Sequence, residues 1–149
     1  MKNTQFKFSD LFAGIGGMRM AFESVGCECV YTSEIDPRAR ETYLLNFPHT
    51  ENHIFNTDIL NFSNQKIPEH EILLAGFPCQ PYSIAGLRKG LKDERGGDVF
   101  EALLNFLELS QPQCFLLENV KGMLNHEKGE TIRYMLKRLS GVGYSMASP

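Results

Sequence analysis

Apolar and polar positions along this chain switch repeatedly between two periods. Phe6-Lys7-Phe8 alternates into Leu11-Phe12 and predicts a first strand. Compact apolar runs predict three more strands, at Cys29-Val30-Tyr31-Thr32, Ile72-Leu73-Leu74-Ala75 and Cys114-Phe115-Leu116-Leu117. A short one is expected between Ile54 and Ile59, ending near Asp58. Between the strands, apolar residues recur at helical spacing. Met18, Met20, Ala21, Phe22 and Val25 form one such set, with Gly26 as its stop. Asp36-Pro37 supplies a cap and a first-turn proline for a second helix that runs to about Asn46, before Pro48. Val99 to Leu107 predicts a third, broken by Pro112, and Glu130 to Leu139 a fourth, closed by Gly141 and Gly143. Tyr144 to Ala147 reads as the start of a sixth strand. Strands alternating with helical crossovers predict an α/β fold with a doubly wound, mostly parallel sheet.

Composition narrows the picture only a little. The 149 residues make about one domain, and 42% hydrophobic content supports a packed core. The net charge of -3 does not mark a general polyanion binder, though a local basic patch would escape that count. With neither a signal peptide nor a membrane-spanning run in the sequence, the expected compartment is the cytoplasm, where free thiols are the default. The four cysteines have no partners at zinc-like spacing, so no metal is expected. Cys29 and Cys114, in or beside apolar runs, are expected in the core.

The candidate chemistry gathers at strand ends. Cys79 sits in Gly76-Phe77-Pro78-Cys79-Gln80-Pro81, directly after an apolar run. Two prolines stiffen the backbone around a thiol placed where open α/β sheets bind ligands. No histidine is marked as its base. Asp10-Leu11-Phe12-Ala13-Gly14-Ile15-Gly16-Gly17 puts a glycine turn between the first strand and the first helix. It departs from the dinucleotide fingerprint and lacks the Lys-Ser/Thr of a phosphate loop. Glu34 and Asp58 follow the next two strands. Taken alone, each is an ordinary polar residue at a strand end. Together they describe a nucleoside pocket with no need for phosphates, which favours S-adenosylmethionine over NAD or ATP. Glu118 ends the fifth strand, expected to be buried beside the fourth, and a carboxyl there is suited to act as an acid. Asn119 either orients it or caps a turn. The segment Ser83 to Gly97 carries Arg88, Lys89, Lys92 and Arg95 among glycines, as a mobile substrate loop or as a merely solvated one.

These residues, in this order and spacing, resemble the N-terminal half of a bacterial DNA (cytosine-5)-methyltransferase of the restriction-modification type. The resemblance rests on the glycine turn, on Glu34-Ile35-Asp36 and Thr57-Asp58-Ile59, and above all on Gly76 to Ser83 and Glu118-Asn119-Val120. It implies a Rossmann-like methyltransferase sheet. It implies that Phe12 stacks on the adenine of S-adenosylmethionine while Ala13, Gly14, Ile15, Gly16 and Gly17 line the methionine side. Glu34 would hold the ribose and Asp58 the adenine amine, with Ile35, Ile59, Phe77 and Pro78 completing the site. Ile35 stands where many members have an aromatic, so the sandwich around adenine would be partly aliphatic. Cys79 would attack C6 of a cytosine flipped from duplex DNA, and Glu118 would engage N3. Gln80, Ser83, Arg88, Lys89, Lys92 and Arg95 would lie on the loop that closes over the base.

Members of that family usually continue further, with an arginine-containing motif, a target-recognition domain and a returning C-terminal helix. The sequence contains none of these, so residues 1–149 are expected to form a partial catalytic domain that does not methylate DNA site-specifically alone, with a complementary subunit as one way of completing it. Two other readings stand beside the enzyme. One is a catalytically silent module that binds S-adenosylmethionine or a partner, for which Cys79 and Glu118 would be idle. The other is a Rossmann-type oxidoreductase, which leaves the Pro-Cys-Gln-Pro turn unexplained.

Overall fold

A computed structural model describes residues 5–48, 52–64, 66–78 and 96–146. The chain divides into two compact units, Met1–Phe77 with Ser110–Glu118, and Pro78–Leu109 with Asn119–Pro149.

The first unit is built on five parallel strands: β1 (Lys7–Leu11), β2 (Glu28–Ser33), β3 (Ile54–Asn56), β4 (Ile72–Gly76) and β5 (Cys114–Glu118). Their order is β3-β2-β1-β4-β5. The chain therefore moves outward from β1 in one direction, returns to β4 on the other side of β1, and moves outward again. The carboxyl ends of β1 and β4 form the switch point at which such sheets place ligands.

Side-chain alternation sorts the central strands into two faces. Phe8, Cys29 and Leu74 form a buried cluster on one of them. Helix α1 (Gly17–Ser24) covers this face, packing Met18 and Phe22 on the cluster with Cys27 and Ile72. It stops where the pattern predicts, and Gly26 takes the left-handed φ of 91° there. Helix α2 (Pro37–Asn46) starts as expected, with the Asp36 carboxylate accepting from the amides of Arg38 at 2.7 Å and Ala39 at 3.1 Å.

A polar chain unforeseen from the sequence joins these elements beneath the surface. Arg19 donates to the Tyr43 hydroxyl (3.0 Å), which lies 2.6 Å from the Thr32 hydroxyl, itself 2.8 Å from Nε2 of His53. Burial holds the Tyr43 phenol well above its usual range, so it keeps its proton. On the opposite face, His70 Nδ1 lies 2.8 Å from the Pro68 carbonyl, which can only accept. Nε2 of the neutral ring therefore accepts from Ser9, at 3.1 Å. Burial lowers the pKa of His70 and keeps it neutral. Both residues are buried, so this Ser–His pair ties β1 to the entry of β4 and is not an exposed nucleophile.

Two expectations are corrected here. Strand β5 is not buried: Cys114, Leu116 and Glu118 are exposed and Phe115 and Leu117 half-buried. Among the described residues it is bonded on one side only, to β4, and an edge strand keeps water on its flank. Cys114 is thus a surface thiol, whereas Cys29 is buried, which pushes its thiol up to about 11. The sixth strand is not found either. Residues 144–146 are not in a strand, and Ala147 lies outside the described residues.

In the second unit, helix α3 (Gly96–Ser110) and helix α4 (Glu130–Gly141) are joined by a charge pair. Arg138 meets both carboxylate oxygens of Glu101 and donates to the Tyr134 hydroxyl at 2.7 Å. The Phe100 and Tyr134 rings pack with centroids 6.5 Å apart. No helix among the described residues is long and apolar enough to cross a membrane.

Candidate active site

The site grows from the end of β1. Phe12 leaves the strand with φ 57°, a left-handed backbone that costs an L residue roughly 1–2 kcal/mol. The next amide, Ala13, returns to the sheet by donating to the Ser33 carbonyl at 3.1 Å. Gly14 (φ 57°) then donates its amide to Oε2 of Glu34 at 2.7 Å, and Gly16 (φ 93°) opens α1. The strain at Phe12 is open to a direct test. Phe12→Gly should be more stable than Phe12→Ala by about 1 kcal/mol, since both lose the ring and only glycine relaxes the backbone. Urea melts compare them, and identical midpoints would show that the strand end does not impose this conformation.

The glycines divide by what surrounds them. A Cβ at Gly14 or Gly17 would meet nothing within 4 Å, whereas one at Gly16 would sit 2.3 Å from Phe47 Cε2 and 3.1 Å from Tyr43 Cδ2. Gly14 and Gly17 therefore border open space, a cradle a ligand can fill. Gly16 is small because α2 packs against it. Ile15 and Ile35, which directly follow Gly14 and Glu34, are both more than half exposed.

Glu34, 9% exposed, couples the two strand ends. Its second oxygen accepts from the amide of Asp36 at 2.8 Å. Each oxygen keeps one lone pair for a ligand hydroxyl. Asp58 is half-buried and accepts from the Leu60 amide (3.0 Å) and the Asn61 side chain (3.1 Å), so it also caps the 3-10 turn Ile59–Asn64. Ile59 is buried beneath it. Asn56 holds the Asp58 amide at 2.6 Å and sets this loop, a role the sequence pattern did not reveal.

On the other side of the switch point, Phe77 is buried and Pro78 exposed. Cys79, Gln80, Ser83, Arg88, Lys89, Lys92 and Arg95 lie outside the described residues. Glu118 pairs with Gly76 across the β4–β5 ladder, as neighbouring strands require. A Cβ at Gly76 would lie 3.5 Å from Glu118 Oε2 and 3.3 Å from the Met18 methyl. The buried setting expected for Glu118 is not found; its residue is exposed because β5 is an edge. Asn119 accepts from the Val120 amide at 2.8 Å, a turn-capping contact.

Asp10 is the residue that sequence reasoning overlooked. It is fully buried in β1, and neither carboxylate oxygen completes a hydrogen bond to a protein group. Burial pushes its pKa up to about 7, opposed by the charge and amide of Arg19. No signal in the sequence separates it from an ordinary first residue of the glycine turn. Among the described residues, no group of three or more His, Cys, Asp or Glu side chains is placed to hold a metal ion.

Residues 6–148 match the C-5 cytosine-specific DNA methylases. The chain belongs to that family. Type II methyltransferase M.DsaV of Dactylococcopsis salina is 46% identical over 144 residues, covering 97% of this chain and 40% of the relative. A DNA-cytosine methyltransferase of Escherichia coli K12 is 39% identical over 167 aligned positions, covering 95% of this chain and 35% of the relative. The chain thus spans two fifths or less of the length of these two methyltransferases. Among solved structures, a variant of Spodoptera frugiperda DNMT2 superposes with a TM-score of 0.66 at 27% identity, over 93% of this chain and 41% of that one. The Rossmann-like α/β sheet expected from the alternation of elements is therefore the family's own.

Proposed function

We propose that this chain carries the cofactor-binding and nucleophile-bearing part of a DNA (cytosine-5)-methyltransferase that uses S-adenosylmethionine. The observation that carries the reading is the convergence of the glycine turn after β1 and the carboxyl end of β4 on the switch point of a sheet whose chain matches the methylase family over residues 6–148. The residues present fit the cofactor. Gly14 and Gly17 leave room, Phe12 and the exposed Ile15 and Ile35 offer apolar surface for a purine, and Glu34 retains acceptors for a ribose diol. Asp58 adds an acceptor for an exocyclic amine. When bound, S-adenosylmethionine supplies an electrophilic methyl group.

The remaining chemistry falls to the chain. C5 of cytosine is a weak nucleophile inside an aromatic ring. Attack of the Cys79 thiolate on C6 breaks that aromaticity and makes C5 electron-rich, so one hard step becomes two easier ones. Glu118, across the ladder from Gly76 at the carboxyl end of β4, engages N3 and offsets the ring charge. After methylation, loss of the C5 proton expels the Cys79 thiolate and restores the ring. Both target atoms are hidden in the duplex, so the base must leave the stack. Gln80, Ser83, Arg88, Lys89, Lys92 and Arg95 are proposed to contact that displaced strand.

The test is covalent capture. In the complete methyltransferase that carries this chain, duplexes with 5-fluorocytosine in randomised sequence context should form a denaturation-resistant adduct in the presence of S-adenosylmethionine, because fluorine at C5 cannot leave as a proton does. Cys79→Ser should form none. Calorimetric binding of S-adenosylmethionine without any adduct would favour a silent cofactor-binding module instead.

A further inference from the structure

Resting on the cofactor assignment above, we propose that Asp10 is a specificity-determining residue that reads positive charge on the cofactor's sulfur, favouring the sulfonium form over the neutral thioether product. Asp10 is the penultimate residue of β1, just before the cradle. It lies two residues ahead of Phe12, so their Cα atoms are within about 7 Å. It projects to the same face as Phe8, the face covered by α1, and pairs in register with Thr32 of β2 and Leu74 of β4.

Every charged or titratable group facing it is already engaged or repels it. Among the described residues, Arg19 on α1 is the one cation that acts on it, yet its guanidinium is spent elsewhere. Its Nε is 2.7 Å from Glu23, its Nη1 holds Tyr43, and its plane lies 4.5 Å from the Phe47 ring centre. Glu34, at the end of β2, is a like charge. Cys29 of β2 keeps its proton, being pushed up to about 11. Tyr43 of α2 is likewise neutral. Among the described residues, only the charge and amide of Arg19 favour the Asp10 carboxylate, whose oxygens complete no hydrogen bond, a costly state unless further positive charge arrives nearby. Behind the glycine turn that charge is little screened by water. A sulfonium supplies it and a thioether does not. The amino-acid ammonium is common to cofactor and product, so it cancels from the comparison.

The experiment is isothermal calorimetry on the full chain with three probes: S-adenosylmethionine, S-adenosylhomocysteine and sinefungin, whose amine is cationic at the sulfonium position. Asp10→Asn is nearly isosteric and removes a buried charge, so it should fold. In this variant the two cationic ligands should weaken about tenfold while S-adenosylhomocysteine stays within about twofold. A uniform loss for all three would mark Asp10 as merely structural and overturn the inference, as would no loss at all. The unmodified chain supplies a second readout in buffers of different ionisation heat at pH 7. S-adenosylmethionine should release roughly half a proton more than S-adenosylhomocysteine, as the cation drives Asp10 to its charged form. Equal release overturns the proposal. Failure of the unmodified chain to bind any of the three removes the cofactor assignment itself, a result distinct from binding without charge selectivity.

Discussion

Gly16→Ala should destabilise the chain by about 2–5 kcal/mol and lower its melting temperature by roughly 10 °C. Two costs add. A φ of 93° lies beyond the left-handed basin that L residues tolerate, and the new Cβ would sit 2.3 Å from Phe47 Cε2. The neighbours have little freedom to yield. Tyr43, 3.1 Å from the same Cβ, is held through its hydroxyl by Arg19 and Thr32. Phe47 packs against both the Arg19 guanidinium, 4.5 Å from its ring centre, and the Tyr43 ring, whose centroid is 5.0 Å away. Adding Phe47→Ala to Gly16→Ala should relieve the clash and leave the backbone strain, so a double-mutant cycle reads the two costs separately. Gly17→Ala is the control. Its Cβ meets nothing and α1 gains a better helix former, so stability should hold or rise slightly while the filled cradle weakens S-adenosylmethionine. Gly16→Ala melting like the unsubstituted chain would mean that Phe47 does not pack on the turn.

Glu34→Gln is expected to remove about 1.5–3 kcal/mol of stability and more than a tenfold share of cofactor affinity. The carboxylate receives two backbone amides, Gly14 on one oxygen and Asp36 on the other. A glutamine has one carbonyl, so one amide must face an NH2 group, donor against donor. The loss falls on both walls of the pocket, since one amide belongs to the glycine turn and the other to the start of α2. Urea denaturation and calorimetry with S-adenosylmethionine measure the two effects. A variant that keeps its stability while losing the cofactor would show that Glu34 serves the ligand alone and does not couple the strand ends.

Local chemistry made much of this architecture legible. Asp36-Pro37 could only start a helix cheaply, and Gly26 could only end one where a left-handed residue was wanted. The runs at residues 29–32 and 72–75 were apolar throughout because they lie inside the sheet. The candidate site was legible for the same reason. In the sequence, glycines, acids and the Pro-Cys-Gln-Pro segment come directly after strand patterns, and a parallel sheet gathers strand ends on one edge.

Where the sequence reading failed, the cause was pairing or burial at a distance. Phe115 to Leu117 is as apolar as the central strands, yet β5 is bonded on one side only, so Cys114 and Glu118 face water. Nothing local distinguishes Gly16, which packs on Phe47, from Gly14 and Gly17, which border open space. Asp10 read as the first letter of a turn; only the layering of α1 over β1, β2 and β4 makes it a buried charge without a partner. By itself, then, the sequence determined the order of elements, the family and the residue types at each strand end, since these follow from propensity and adjacency along the chain. Tertiary structure alone decided which glycine is packed against, which borders open space, and which buried carboxylate completes no hydrogen bond, because packing and desolvation are set by neighbours far away in sequence.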